Sequence, residues 1–308
     1  MSLIRTIAQP TPLEPIGLEQ RAKVFLKRED VGPTGTFKWR GALTACDAYR
    51  VDGATELVTS STGNHGAAVA WATARLGLVA HVVVPRDAAD AKCELVAAHG
   101  AQLHRVGDDL DAASAFAREL AEARGLPYFE DGGCAAQLEG TATVGSEIAS
   151  QAPLEALFVP VACGALAAGV GAGVQQMSPK PWLVGVQSTH FSRLAAQFHS
   201  RPYSSTGEST FADGLADDRL VEPALSRCLQ YLDDVITVDD DELREAMRVL
   251  WRLAEVRAEG AGAAALAGYL SYNGRASHGS VGLVVSGGNL DANLALEVLG
   301  SSNSRSHP

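Results

Sequence analysis

Basic charge is scarce in this chain. Its 308 residues include 25 Lys or Arg against 36 Asp or Glu, a formal net charge of −11. Nothing resembles a basic footprint, which argues against nucleic acid as a partner. Long apolar runs are also missing, so no segment is suited to cross a bilayer and no membrane partner is expected. The five cysteines, Cys46, Cys93, Cys134, Cys163 and Cys228, are odd in number, widely spaced and free of any C-x-x-C pair. That excludes a disulfide framework and a cysteine zinc site, and fits reduced thiols in a cytoplasmic protein. The start, MSLIRTIAQPTPLEP, has neither a sustained apolar stretch nor a cleavage-like site, and does not read as a signal peptide. The tail, GSSNSRSHP, is polar and reads as disordered.

What is present is an alternation. The runs 57–60, 79–85, 157–161, 183–187 and 281–285 are short, β-branched and bounded by turn residues, as buried strands are. Between them lie helical patterns over 65–76, 89–99 and 110–124, each stopped by a glycine: Gly77, Gly100 and Gly125. A further helix is expected over 241–258, behind the acidic run Asp239 to Glu242. The order predicts an α/β fold with open, twisted, parallel sheets. Ligands of such sheets bind where a strand feeds a helix.

Four segments carry chemical interest. GPTGTFKWRGA (32–42) sets Lys38 in a glycine-flanked turn. Its spacing differs from a nucleotide phosphate loop, whereas a lysine that forms an imine remains possible. SSTGNHGAA (60–68) packs Ser61, Thr62, Asn64 and His65 around Gly63, more polar groups than a helix cap needs. Its backbone N–H groups could hold a carboxylate. PVACGALAAGVGAG (160–173) offers small residues for an anion cradle. Its glycines, at 164, 169, 171 and 173, miss the dinucleotide spacing, and the next strand ends in Gln187 rather than an acid. VVSGGNLD (284–291) puts Ser286 after the last strand. His99 and His104 have no motif companion and read as exposed histidines at a helix end.

Taken in order, TGTFKWRGA, STGNHG, ACGALAAG and SGGNLD resemble the fold-type II pyridoxal-phosphate (PLP) enzymes, and within them the serine/threonine dehydratases (ammonia-lyases). TPLEP, VFLKRED, EGTATVGSEI, ADGLA and EGAGAAALAG extend the resemblance over nearly the whole chain. It implies a tryptophan synthase β-like fold of two α/β domains with the cofactor in a cleft. Residues 1–50 and 140–308 would form the large domain, and 51–139 the small inserted one. It further implies PLP carried on Lys38, with Phe37 beside the ring and Asn64 on the ring's 3-oxygen. Ala162, Cys163, Gly164, Ala165 and Leu166 would hold the phosphate, and Ser286 would face the pyridine nitrogen. Ser61, Thr62, Gly63, Asn64 and His65 would surround a substrate carboxylate. The implied activity is loss of water from a β-hydroxy-α-amino acid, giving a 2-keto acid and ammonia, by a homodimer.

The chain also departs from the pattern. Thr62 stands where dehydratases often carry Ala, which keeps β-replacement and racemisation open as alternatives. A non-PLP protein that binds a phosphate ligand is a third reading. The phosphate loop is ACGAL instead of a run of glycines. Gln187 and Arg193 replace the carboxylates that hold a divalent ion in some relatives, so no metal site is expected. No regulatory domain is expected after SGGNLD.

Overall fold

The computed structural model describes residues 3–18, 22–272 and 279–300. The tail read as disordered lies, from residue 301 on, outside the described residues. In chain order the elements are α1 Leu3–Ile7, β1 Leu13–Ile16, β2 Lys23–Arg28, α2 Lys38–Val51, β3 Glu56–Ser60, α3 Asn64–Leu76, β4 Val79–Val84, α4 Asp90–Ala97, β5 Gln102–Arg105, α5 Leu110–Arg124 and α6 Ala135–Gln151. They continue with β6 Ala156–Pro160, α7 Ala165–Gly173, β7 Trp182–Ser188, α8 Arg193–Phe198, α9 Ala224–Tyr231, β8 Asp234–Val238, α10 Asp240–Ala254, α11 Gly260–Ser271, β9 Ser280–Val285 and α12 Ala292–Gly300. The α/β class expected from the alternation is what the chain forms. By compactness it divides into two units: 1–9, 38–141 and 221–223 in the first, the remainder in the second.

The first unit is built on the parallel sheet β3-β4-β5. Leu57, Ala80, Val82 and Val84 pack in one cluster with α2 and α3, while Val58 and Val83 pack with α5 in another. Alternate residues of a strand point to opposite faces, so both faces are covered. Gly77 and Gly125 end their helices at φ 71° and 64°, a conformation glycine adopts without penalty. His104 is not an exposed residue at a helix end. It lies on β5, with Nε2 3.1 Å from Nδ1 of the fully buried His81, whose Nε2 meets Glu56 at 2.8 Å. Burial, then His81 and Arg124, holds His104 below its ordinary pKa.

The second unit carries a six-stranded sheet in the order β1-β2-β9-β6-β7-β8, parallel except for β1. Three segments of the family resemblance meet in it. Lys27 of VFLKRED is fully buried and donates to Glu147 Oε2 at 2.6 Å, to the Thr11 carbonyl at 2.8 Å and to Gln151 Oε1 at 3.1 Å. The Thr11 hydroxyl donates to Glu29 at 2.6 Å. A buried charge needs this density of partners, and the network joins β2 to α6. α10 starts with the expected dipole-matched acids as a full capping box between Asp239 and Glu242. It ends at Ala254, short of 258, because Glu255 takes φ 54° and its N–H, with that of Val256, turns back to the last helical carbonyls.

Candidate active site

Lys38 opens α2, and its ammonium is paired with Asp131. Their side chains are only 16% and 15% exposed, so water screens the pair little. The other oxygen of Asp131 accepts from Gln137 Nε2 at 2.6 Å and lies 3.6 Å from His65 Nδ1. Gln137 is itself fixed, since its carbonyl oxygen accepts from the Gly132 N–H at 2.8 Å. His65 is fixed by the Thr59 hydroxyl, 3.2 Å from Nε2, which donates to the Phe129 carbonyl at 2.7 Å. Phe129 packs against the imidazole, centroids 4.8 Å apart.

Small residues make this arrangement possible. A Cβ on Gly41 would stand 2.7 Å from Gln137 Cγ, and one on Gly140 would run into the Arg40 carbonyl. α2 and α6 therefore cross closely, which sets Gln137 one turn beyond Lys38. Burial pushes the Asp131 carboxyl up, but Lys38, His65 and the Gln137 bond outweigh it and hold it well below the usual carboxylate range.

The STGNHG turn follows β3. Gly63 precedes the first turn of α3, its N–H donating to Ser61 Oγ at 3.2 Å. The first helical bond runs from Ala67 N–H to the Gly63 carbonyl. The N–H groups of Asn64, His65 and Gly66 thus lie at the head of the helix. A Cβ on Gly66 would stand 2.8 Å from the Ser61 carbonyl, so the turn is tight.

In the second unit Gly164 sits at φ 94°, directly before α7. The first helical bond joins Ala168 N–H to the Gly164 carbonyl, leaving the N–H groups of Ala165, Leu166 and Ala167 at the helix head. Cys228 covers the turn from α9. Its thiol donates to the Gly164 carbonyl at 3.4 Å, and a Cβ on Gly164 would lie 2.9 Å from its sulfur. Burial pushes that thiol up to about 12, so it is a packing group and no nucleophile. Cys163 is buried as well. Ser286, 4% exposed, follows β9. Its carbonyl accepts from the Phe37 N–H at 2.9 Å, the Gly35 carbonyl accepts from Gly288, and Thr36 bridges Gly287. The segment leading into Lys38 is thereby laced to the segment after β9.

The expected residues therefore form one group within the first unit (Lys38 and His65, with the head of α3) and another within the second (Phe37, Ser286 and the turn before α7). Asp131 and Gln137 were not expected. In sequence Asp131 is one acid in an EDGG turn, and nothing local marks it as a lysine's partner.

A lysine heading a helix, an anion-ready helix start and a hydroxyl at a strand end are the kinds of group that an aldehyde-bearing phosphate cofactor calls for. Residues 4–287 match the family model of pyridoxal-phosphate-dependent enzymes, and the chain belongs to that family. It is 33% identical over 277 residues to the biosynthetic L-threonine dehydratase IlvA of Pasteurella multocida, covering 88% of this chain and 54% of that protein. It is 31% identical over 293 residues to the catabolic L-threonine dehydratase TdcB of Escherichia coli, covering 91% and 87%. Threonine deaminase isoform 2 from Solanum lycopersicum superposes with a TM-score of 0.88 at 28% identity, over 96% of this chain and 84% of that one. The chain thus spans about half the length of the biosynthetic dehydratases it matches.

The family's cofactor, pyridoxal phosphate, suits the residues present. Its phosphate calls for backbone donors such as those that head α7, where a side chain at Gly164 would have no room. Its aldehyde calls for a lysine amine, and Lys38 is the lysine of the motif.

Proposed function

We propose that this chain is a PLP-dependent dehydratase (ammonia-lyase). It would remove water from a β-hydroxy-α-amino acid of the serine and threonine kind, leaving a 2-keto acid and ammonia. The observation that carries this is the placement of Lys38 at the head of α2 beside a buried carboxylate, in a chain a third identical to threonine dehydratases over most of its length.

When bound, the cofactor withdraws electrons from Cα and so acidifies its proton. The remaining work falls to side chains and backbone. Lys38 would hold the cofactor and accept the Cα proton at Nζ. The N–H groups of Cys163, Gly164, Ala165 and Leu166, opened by Ala162, bind the phosphate. Phe37 would pack beside the ring and Asn64 would donate to its 3-oxygen. Ser286 would face the ring nitrogen with a neutral hydroxyl, a partner that suits elimination. Ser61, Thr62, Gly63, Asn64 and His65 bind the substrate carboxylate through the head of α3. A homodimer in the cytoplasm completes the reading. Among the described residues no helix is long and apolar enough to cross a membrane.

The test is a spectrum of the purified protein with PLP, followed by L-serine, L-threonine and larger β-hydroxy amino acids with keto acid assayed. A visible band that is absent from Lys38→Ala, together with keto acid from one substrate, supports the proposal. A band that shifts without keto acid, with D-amino acid or a β-substituted product instead, replaces it by racemisation or β-replacement. No band after adding PLP overturns it.

A further inference from the structure

Among the described residues, Gln137 and His65, which meet Asp131 beside Lys38, are themselves held in place. Gln137 is anchored by Gly132 and by the close crossing of α2 and α6, and His65 is anchored by Thr59 and Phe129. Lys38, by contrast, ends in a compact charge on a flexible four-carbon stem. A carboxylate fixed through one oxygen and paired to a lysine through the other gives that lysine a fixed point to bond.

We propose that Asp131 is the positioning residue of Lys38: it steers Nζ to a single place, stabilises the proton that Nζ takes up, and leans on His65 when Nζ is neutral or otherwise bonded. This rests on reading Lys38 as the cofactor lysine. Three features support it. A buried carboxylate needs a charged or strongly donating partner in each state of the site, and His65 at 3.6 Å with Gln137 at 2.6 Å stands ready on the other oxygen. An anion beside an amine favours the protonated amine, which is the form Lys38 must reach after accepting a proton. Asp131 is not itself the acid that would protonate a leaving hydroxyl, because Lys38 and His65 outweigh its burial and keep it ionised at neutral pH. The titratable groups placed at this carboxylate are Lys38 from α2 and His65 from α3, while α6 contributes the neutral Gln137.

The experiment compares the wild type with Asp131→Asn, which keeps the side-chain shape and an oxygen for Gln137. In cofactor-free protein, Lys38 is labelled with an amine-selective acylating reagent across a pH series, and the peptide that contains it is quantified by mass spectrometry. Asp131→Asn is expected to label roughly tenfold faster at neutral pH, equivalent to about one pH unit. In PLP-loaded protein, kcat is expected to fall at least tenfold with KM changed less than threefold. A role confined to folding would lower the melting temperature and leave both the labelling profile and the split between kcat and KM as they are. An unchanged labelling profile in folded Asp131→Asn overturns the proposal. If Asp131→Asn does not fold, Gln137→Ala decides, since it keeps the charge and loosens the aim. It should lower kcat with little change in labelling pH, and a wild-type kcat would sink the idea. A wild type that shows no visible band with PLP would instead refute the reading of Lys38, and the labelling arm would still report whether Asp131 sets its protonation.

Discussion

Lys38 is paired with a carboxylate, which an imidazole and an amide, each with its own support, meet on the other oxygen. At the head of α7 the donors are backbone N–H groups, and the side chains nearby are small, buried and chemically quiet. The first arrangement depends on which residues are present and on their charge. The second depends on shape, because any residue supplies an N–H if its backbone can reach the right conformation. That difference explains how ACGAL can stand in for a run of glycines. Only Gly164 sits at positive φ, and only there does glycine have to remain.

The largest expected break falls on the charged side. Lys38→Ala should abolish the visible cofactor band and lower keto acid formation by at least about 10³-fold, within the range for loss of a general base. It also strips Asp131 of its cation partner, which should cost about 3 kcal/mol in urea unfolding of the cofactor-free protein. Residual activity above a tenth of wild type would show that chemistry does not run through this lysine.

The backbone side should break through shape. Gly164→Ala forces a Cβ into the left-handed region, at about 1–2 kcal/mol, and presses it against the Cys228 sulfur. PLP affinity should drop with it, as read by equilibrium titration of the absorbance. Adding Cys228→Ala removes the contact and leaves the dihedral cost, so affinity should return only in part. Full recovery would mean that contact, and not φ, is what glycine serves. Substitutions of Cys163 by Ala or Ser should be mild by comparison.

Acid should separate the two sides. The folded-state pKa of Asp131 lies below its value near 3.9 in the unfolded chain. Between the two values the unfolded state binds more protons, so stability rises with pH there. The contribution is present above about pH 4 and is lost as pH falls toward the folded value. Unfolding free energies of the cofactor-free protein from pH 6 down to 3 should therefore decline less steeply in Asp131→Asn than in the wild type. Parallel curves would show that the pair adds nothing to stability.

Legibility followed the same divide between local and tertiary causes. The five expected strands lie within a residue or two of β3, β4, β6, β7 and β9, because continuous apolar runs between turn residues are a local signal. β2 was hidden by Lys27 and Arg28, which interrupt its apolar pattern. Lys27 is tolerated because Glu147, far along the chain, pairs with it beside Thr11 and Gln151. β5, QLHR, looks polar because His104 faces His81 across the sheet and its other residues are exposed or half-buried. The end of α10 was misplaced because Glu255, without a glycine to announce it, takes the left-handed stop. Lys38 stands out in the sequence through its motif. Asp131 was not, since the close crossing at Gly41 and Gly140 that brings Gln137 to it is made only when α2 and α6 pack.

The smallest effect tests whether the two units are separable at all. Each holds an amphipathic helix begun by an aspartate. Asp109 accepts from Ala112 N–H at 2.8 Å at the start of α5, and Asp239 accepts from Glu242 N–H at 2.9 Å at the start of α10. Only the second is reciprocated, by Glu242 accepting from the Asp239 N–H at 2.8 Å. Loss of such a cap costs about 1 kcal/mol, and the boxed one should cost slightly more. If the units unfold independently, Asp109→Ala shifts hydrogen-exchange protection of β3, β4 and β5 alone, and Asp239→Ala shifts that of β6, β7 and β8 alone. If both substitutions lower protection in both sheets equally, the chain unfolds as one cooperative body, and the group around Lys38 and the head of α7 share a single stability.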